Sequence, residues 1–168
     1  RDRSKGACGV LVSNIGLAKK YNGLFVIDTK EALINIGKFA RNRFNGTTIG
    51  ITGSSGKTST NYFLSNALNQ FGKTHKTFGN NNNLIGLSLT LYRLPHDFNF
   101  CVLELGMNNS DEIRELTNIA KPNIAVITNV SNSHIQNFKN EKEIAKAKSE
   151  IFLGLEKNGV AIINSDND

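Results

Sequence analysis

Tryptophan is absent from this chain, and methionine, proline and cysteine are scarce, with one, two and two residues among 168. Each scarcity excludes something. Cys8 and Cys101 lie in apolar stretches and form no C-x-x-C pair, which argues against a disulfide framework or a cysteine-rich zinc site. They read as free thiols buried in a reducing compartment, so the expected location is cytoplasmic. Apolar runs such as Ile124–Ile127 and Val160–Ile163 fall far short of the roughly 18 residues that span a bilayer, and no membrane span is expected. No basic start with an apolar stretch and a small-residue cleavage site marks a secretory signal. Disorder is excluded as well, since 39% of residues are apolar and only 20% are charged. What is left is a globular chain, long enough for one packed domain or for one domain and part of another.

The net charge of +6 invites a nucleic-acid reading, but its distribution does not support one. Residues 1–48 hold nine Lys/Arg and three Asp/Glu, giving +6, while residues 49–168 hold eleven of each. No aromatic stacking platform accompanies the basic portion. A basic patch facing an anionic small molecule fits as well, and no nucleic-acid partner is expected.

Residues 7–13 and 24–28 read as short buried strands. Thr29 caps a helix through about Phe44 that buries Ala32, Leu33, Ile36 and Ala40, leaving Lys30, Lys38, Arg41 and Arg43 on a solvated surface. Asn45-Gly46 is a turn and the candidate domain boundary, which divides the chain into residues 1–46 and 47–168. Beyond it the pattern is strand, loop, helix, repeated. Strands are expected at Thr48–Thr52, Lys76–Phe78, Phe98–Leu105, Ile124–Val130 and Gly159–Asn164. Helices are expected at Lys57–Phe71 (burying Phe63, Leu64, Ala67, Leu68 and Phe71), Gly86–Leu94, Asp111–Ala120 and Glu141–Lys157. The fold class is therefore α/β, with a mostly parallel sheet covered on both faces.

Thr52-Gly53-Ser54-Ser55-Gly56-Lys57-Thr58 follows a strand and opens a helix. Glycines let the backbone turn tightly so that N–H groups face a phosphate, and the helix N-terminus adds partial positive charge. Lys57 can reach the outer phosphates of ATP, and the Thr58 hydroxyl can reach Mg²⁺. Ile51 stands where the general phosphate-loop pattern has its first glycine, so the match is to the shorter T-G-x-x-G-K-T form. Glu104 closes a strand at the carboxyl edge of the sheet, where such folds bind ligands, and a carboxylate there suits Mg²⁺ beside phosphates. A salt-bridged strand end is the alternative. His134 lies four residues past a strand and reads by itself as a surface histidine. Lys148 shares one helical stripe with Ile144, Ile151, Phe152 and Leu155, so it points coreward while Lys146 points to solvent. It either snorkels to the surface or serves a site. The Asn80–Asn83 run, in a chain with 24 asparagines, reads by itself as a low-complexity loop.

The loop resembles the ATP site of the Mur ligase family, which builds the bacterial peptidoglycan precursor and is related to folylpolyglutamate synthase. Three further segments carry the resemblance: Gly79-Asn80-Asn81-Asn82-Asn83-Leu84-Ile85-Gly86, Glu104-Leu105-Gly106-Met107-Asn108-Asn109, and Ala145-Lys146-Ala147-Lys148-Ser149-Glu150-Ile151-Phe152. Together they are similar to the branch that adds D-alanyl-D-alanine. Leu84, Ser88 and Asp111 depart from the pattern, which has an acidic residue, proline and glycine at these places. The resemblance implies that residues 1–46 are the end of a UDP-substrate domain and 47–168 the first part of the central P-loop domain. A third domain would be missing, leaving the chain alone inactive. It implies ATP and Mg²⁺ as cofactors, with Gly53, Ser54, Ser55, Gly56, Lys57, Thr58 and Ser59 around the nucleotide. Metal ligands would be Thr58, Glu104, His134 and a carbamylated Lys148, with Lys57 also catalytic. Asn82, Asn83, Gly86 and Asn108 would contact substrate. The implied partners are UDP-N-acetylmuramoyl-tripeptide and D-alanyl-D-alanine, in an enzyme that is monomeric when complete. A different ligase of this grouping, or a nucleotide-binding module without catalysis, is the alternative.

Overall fold

A computed structural model describes residues 6–7, 9–131 and 137–166. Two parallel sheets follow each other along the chain. The first is small: β1 (Leu11–Val12) pairs in parallel with β2 (Leu24–Phe25). A seven-residue helix, α1 (Ile15–Tyr21), connects them, capped by the Asn14 side chain. The sequence pattern does not announce α1, because Ala18 is its single buried residue and no apolar stripe forms.

Helix α2 (Thr29–Asn42) starts one residue earlier in the cap than expected. The Asp28 carboxylate, not Thr29, accepts the N–H groups of Lys30 and Glu31, at 2.7 and 3.1 Å. Ala32, Leu33 and Ile36 are half-buried and Ala40 is buried, as the spacing requires. Gly37 lies against the backbone of Ser88, so α2 crosses α4 (Leu84–Tyr92) closely. Arg41 corrects the expectation of a solvated surface: it is buried. Its Nε donates to Ala120 O at 2.6 Å and Nη2 to Lys121 O at 2.5 Å, at the carboxyl end of α5 (Glu112–Ala120). A cation there satisfies carbonyls that the helix leaves unpaired. Arg41→Met is expected to lower unfolding free energy by about 2–3 kcal/mol, through loss of charge-assisted hydrogen bonds to buried acceptors. Urea titration checks this against the exposed control Lys38→Met, which should stay within roughly 0.5 kcal/mol.

The second sheet is entirely parallel, in the order β4 (Thr74–Lys76), β5 (Phe100–Glu104), β3 (Thr47–Thr52), β6 (Ile124–Ile127), β7 (Val160–Ile163). Its two faces carry separate apolar layers. Ile49, Ile51 and Val102 pack against Leu64 and Leu68 of α3 (Lys57–Leu68). On the other face Leu103, Ile113, Ile144 and Ile151 join α4, α5 and α6 (Glu141–Ser149) in the main core. Helix α3 is rotated relative to the expectation. Its sheet-facing stripe is Asn61, Leu64, Ser65 and Leu68, while Phe63, Ala67 and Phe71 are exposed. Asn61 and Ser65 tolerate burial because Ser65 Oγ donates to Asn61 O at 2.6 Å and Asn61 Nδ2 to Thr77 O at 3.3 Å. The long helix expected after Glu141 narrows to a 3₁₀ turn at Glu150–Gly154, where Gly154 passes so close to Thr117 that a side chain would collide. No helix among the described residues is long and apolar enough to cross a membrane.

Candidate active site

The carboxyl ends of β3, β5 and β6 lie level, with Ile51 opposite Glu104 and Thr52 opposite Ile127. Everything that follows gathers at that edge. After β3 the chain turns through Gly53 (φ 154°) and Gly56 (φ 78°) into α3. A Cβ on Gly53 would overlap Thr128 Oγ1, so this position is closed to other residues. The segment after β6 straps the loop down. Asn129 O accepts from Ser54 N at 3.0 Å, Asn129 Oδ1 from Ser55 N at 2.9 Å, and Thr128 Oγ1 donates to Ser55 O at 2.6 Å. Ser54 Oγ donates to Ser131 O and accepts from Ser131 N. The N–H groups of Ser54 and Ser55 are thus committed to Asn129. Those of Gly56, Lys57, Thr58 and Ser59 give no hydrogen bond to a described residue, and they form the anion-facing turn. Lys57 Nζ folds back to Gly53 O at 2.7 Å. Burial lowers its pKa, opposed by the Glu104 charge.

Glu104 is 2% exposed. Thr58 Oγ1 donates to its Oε2 and Asn82 Nδ2 to its Oε1, both at 2.9 Å, while Glu104 N donates to Thr77 Oγ1 at 3.0 Å. The salt-bridge alternative therefore does not hold: its side chain has neutral hydrogen-bond donors and no lysine or arginine ion pair among the described residues. A buried carboxylate beside a phosphate-loop hydroxyl, without a cation of its own, is a hard oxygen donor set that fits a divalent ion. Gly106 lets the chain pass Asn82, whose carbonyl accepts Gly106 N at 2.8 Å. Lys148 is 1% exposed, flanked by fully buried Ile144 and Ile151, and does not snorkel. Burial, and then the charge of Lys57, push its pKa down to about 8.

Residues 51–168 match the family profile of the Mur ligase middle domain. The chain belongs to the Mur ligase family. A curated relative from Buchnera aphidicola subsp. Baizongia pistaciae, named UDP-N-acetylmuramoyl-tripeptide–D-alanyl-D-alanine ligase, is 44% identical over 166 residues, covering 98% of this chain and 36% of its own length. The solved UDP-N-acetylmuramoylalanyl-D-glutamyl-2,6-diaminopimelate–D-alanyl-D-alanyl ligase of Acinetobacter baumannii superposes with TM-score 0.87 at 34% identity, covering 98% of this chain and 36% of that one. The MurF ligase of Thermotoga maritima in complex with ADP gives TM-score 0.84 at 29% identity, covering 98% and 38%. The chain thus spans little more than a third of the relatives it matches.

The other residues that the Mur ligase resemblance singles out are placed unequally. Asn83 spends its side chain capping α4, accepting Gly86 N at 2.9 Å, and Gly86 packs against Asn81. Asn108 is exposed, its N–H given to Glu112 Oε2 at 2.7 Å. His134 lies outside the described residues. Glu150 is a residue that the sequence reading missed. Buried two positions after Lys148 in the chain, its carboxylate accepts the N–H groups of Asp111 and Arg114, both at 3.0 Å, capping α5. Asp111 itself sits at φ 67°, which accounts for glycine in the family pattern at that place. Thr77, which fixes the Glu104 backbone, was also not legible: a threonine after a short strand has no distinctive pattern.

Proposed function

We propose that this chain is part of a cytoplasmic ATP-dependent carboxylate–amine ligase, joining UDP-N-acetylmuramoyl-tripeptide to D-alanyl-D-alanine. The observation that carries the reading is the 2.9 Å hydrogen bond between Thr58 and Glu104, which ties the phosphate loop to a buried carboxylate. The relatives' names supply the substrates. In the domain division that goes with it, residues 1–46 close the UDP-substrate domain and 47–168 begin the ATP domain.

The peptide's terminal carboxylate attacks the γ-phosphorus of ATP, breaking its bond to the bridging oxygen and releasing ADP. The amine of D-alanyl-D-alanine then attacks the acyl phosphate, phosphate leaves and the amine loses a proton. The free N–H groups of the first turn of α3 and the Lys57 ammonium hold the outer phosphates and neutralise charge that spreads over them during transfer. Asn82 and Thr77 hold Glu104 in place. Thr58, Glu104, His134 and a carbamylated Lys148 would hold Mg²⁺, which supplies further charge neutralisation when bound. A lysine of pKa about 8 keeps about a tenth of its amine neutral at pH 7, and the neutral amine is the form that takes up carbon dioxide.

The test is ADP formation by the natural polypeptide carrying this sequence, with ATP, the UDP-linked tripeptide and a panel of amines. ADP release that requires both the tripeptide and D-alanyl-D-alanine is the expected result. Release that is indifferent to the amine, or faster with glutamate and a folate, overturns it.

A further inference from the structure

Thr52 closes β3 immediately before the phosphate loop, 1% exposed, and its hydroxyl has no hydrogen-bond partner among the described residues. Its main-chain carbonyl is paired with Thr128, so the side chain alone goes unpartnered. A buried hydroxyl in that condition is costly to the fold. Side chains alternate along β3: Ile49 and Ile51 face α3, so Thr48, Gly50 and Thr52 face the main core. There Thr52 lies level with Ile127 of β6, a main-core residue that offers no acceptor. Gly50 shows what covers this face, since a Cβ on it would touch Ile151 Cδ1 at 3.4 Å. After Ile151 the chain reaches the amino edge of the sheet, where Glu156 N donates to Pro122 O at 3.0 Å. Helix α6 therefore runs from the carboxyl edge toward the amino edge, and the turn before Ile151 lies over the next residue beyond Gly50 on this face. That turn carries Lys148, and that residue is Thr52. The spacings agree. Two strand residues span about 6.6 Å, three helical residues about 4.5 Å, and a lysine side chain leans further toward the amino end of its helix. The Lys148 ammonium also makes no hydrogen bond or ion pair with a described residue.

We infer that Thr52 is a positioning residue for Lys148, its hydroxyl donating a hydrogen bond to the carbamate formed on that lysine. The inference rests on the carbamylated lysine of the ligase reading. In that step the neutral amine attacks the carbon of carbon dioxide. The N–C bond forms, one C=O electron pair moves onto oxygen, and an N–H proton leaves to solvent. Two acceptor oxygens and a negative charge then stand where an ammonium, which can only donate, stood before. An O–H group without a partner thus meets an anion without a donor, and in a dry interior that charge-assisted bond is strong. Thr52 belongs to the strand rather than to the loop, so the anion is held from a rigid element. One carbamate oxygen turns to Thr52. The other is left for the phosphate-loop side, where the charge of Lys57 already acts on Lys148.

The experiment follows the carbamate carbon by NMR while the natural polypeptide carrying this sequence is titrated with labelled bicarbonate, without Mg²⁺ or ATP. Absence of the signal from Lys148→Met assigns it. Thr52→Val keeps the shape and loses the hydroxyl, and should need roughly tenfold more bicarbonate for half-occupancy, the effect of one hydrogen bond to a charged group. Thr52→Ser should restore most of the wild-type affinity. Thr52→Ala should shift the midpoint as valine does, which separates the lost hydroxyl from any misfit of valine. Thr48→Val is the control: that hydroxyl is also buried and unpartnered on this face, but it stands on the far side of Gly50, so the midpoint should not move. In carbon-dioxide-free buffer, urea titration should find Thr52→Val at least as stable as the wild type, because an unpaired buried hydroxyl has been removed. An unshifted midpoint in Thr52→Val, or an equal shift in Thr48→Val, overturns the inference while leaving the ligase reading intact. So does a Thr52→Val protein that is less stable without carbon dioxide, since the hydroxyl would then be serving the ammonium. A wild type with no carbamate signal overturns the inference together with the carbamylated lysine, while ligation itself is judged by the ADP assay above.

Discussion

Lys57→Ala is expected to weaken Mg-ATP binding by roughly 30- to 100-fold, about 2–3 kcal/mol, the worth of one charge-assisted contact to phosphate in a half-buried site. The first-turn N–H groups of α3 remain, so binding should be weakened rather than abolished, and calorimetry reads the difference directly. The loop should keep its shape, because Asn129, Thr128 and Ser131 hold Ser54 and Ser55 independently of the lysine. A second effect separates this from simple unfolding. Lys57 is one of the two causes that depress Lys148, so its removal should raise the Lys148 pKa above about 8, leaving the effect of burial in place. Equal affinity for Mg-ATP in the two proteins would show that the loop does not use its lysine on phosphate.

Lys148→Met should have opposite effects on stability and on chemistry. The folded-state pKa of about 8 lies below the unfolded value of 10.5, so the unfolded chain binds more protons between the two. Stability of the wild type therefore rises as pH climbs from about 8 to 10.5. Below pH 8 the buried ammonium costs its full amount, and methionine, with similar volume and no charge, should stabilise by about 1–2 kcal/mol there. The variant should lose most of the pH dependence in that window, and urea titrations at pH 7 and pH 10 under carbon-dioxide-free buffer check both statements. In labelled bicarbonate the wild type should show a carbamate carbon resonance that Lys148→Met lacks. Lys146→Ala, on the outer face, should match the wild type in every assay. A Lys148→Met protein that is less stable than wild type at pH 7 would mean that the ammonium has a partner worth more than its desolvation.

Sequence periodicity was informative where a side chain's surroundings come from its own element. Lys148 at helical spacing from Ile144 and Ile151, and Glu104 at a strand end, were both legible because their neighbours in sequence carry the pattern. Arg41 and Glu150 were not. Their partners are backbone carbonyls and N–H groups many residues away, and a backbone group leaves no trace in the identity of the residue that owns it. The rotation of α3 was missed for a related reason. Five aromatic or aliphatic residues suggest one stripe, but a side-chain hydrogen bond makes Asn61 and Ser65 cheaper to bury than their polarity implies. The phosphate loop was read in position, though not in its donors: that Ser54 and Ser55 give their N–H groups to Asn129 depends on a segment about 74 residues later.

Helix α5 is gripped at both ends by side chains from elsewhere, Glu150 at its amino end and Arg41 at its carboxyl end. At nine residues it is about 13 Å of stiff rod. Arg41 belongs to α2 and Glu150 stands two places beyond Lys148, so this short rod is anchored to the basic amino-terminal portion at one end and to the segment that carries the buried lysine at the other.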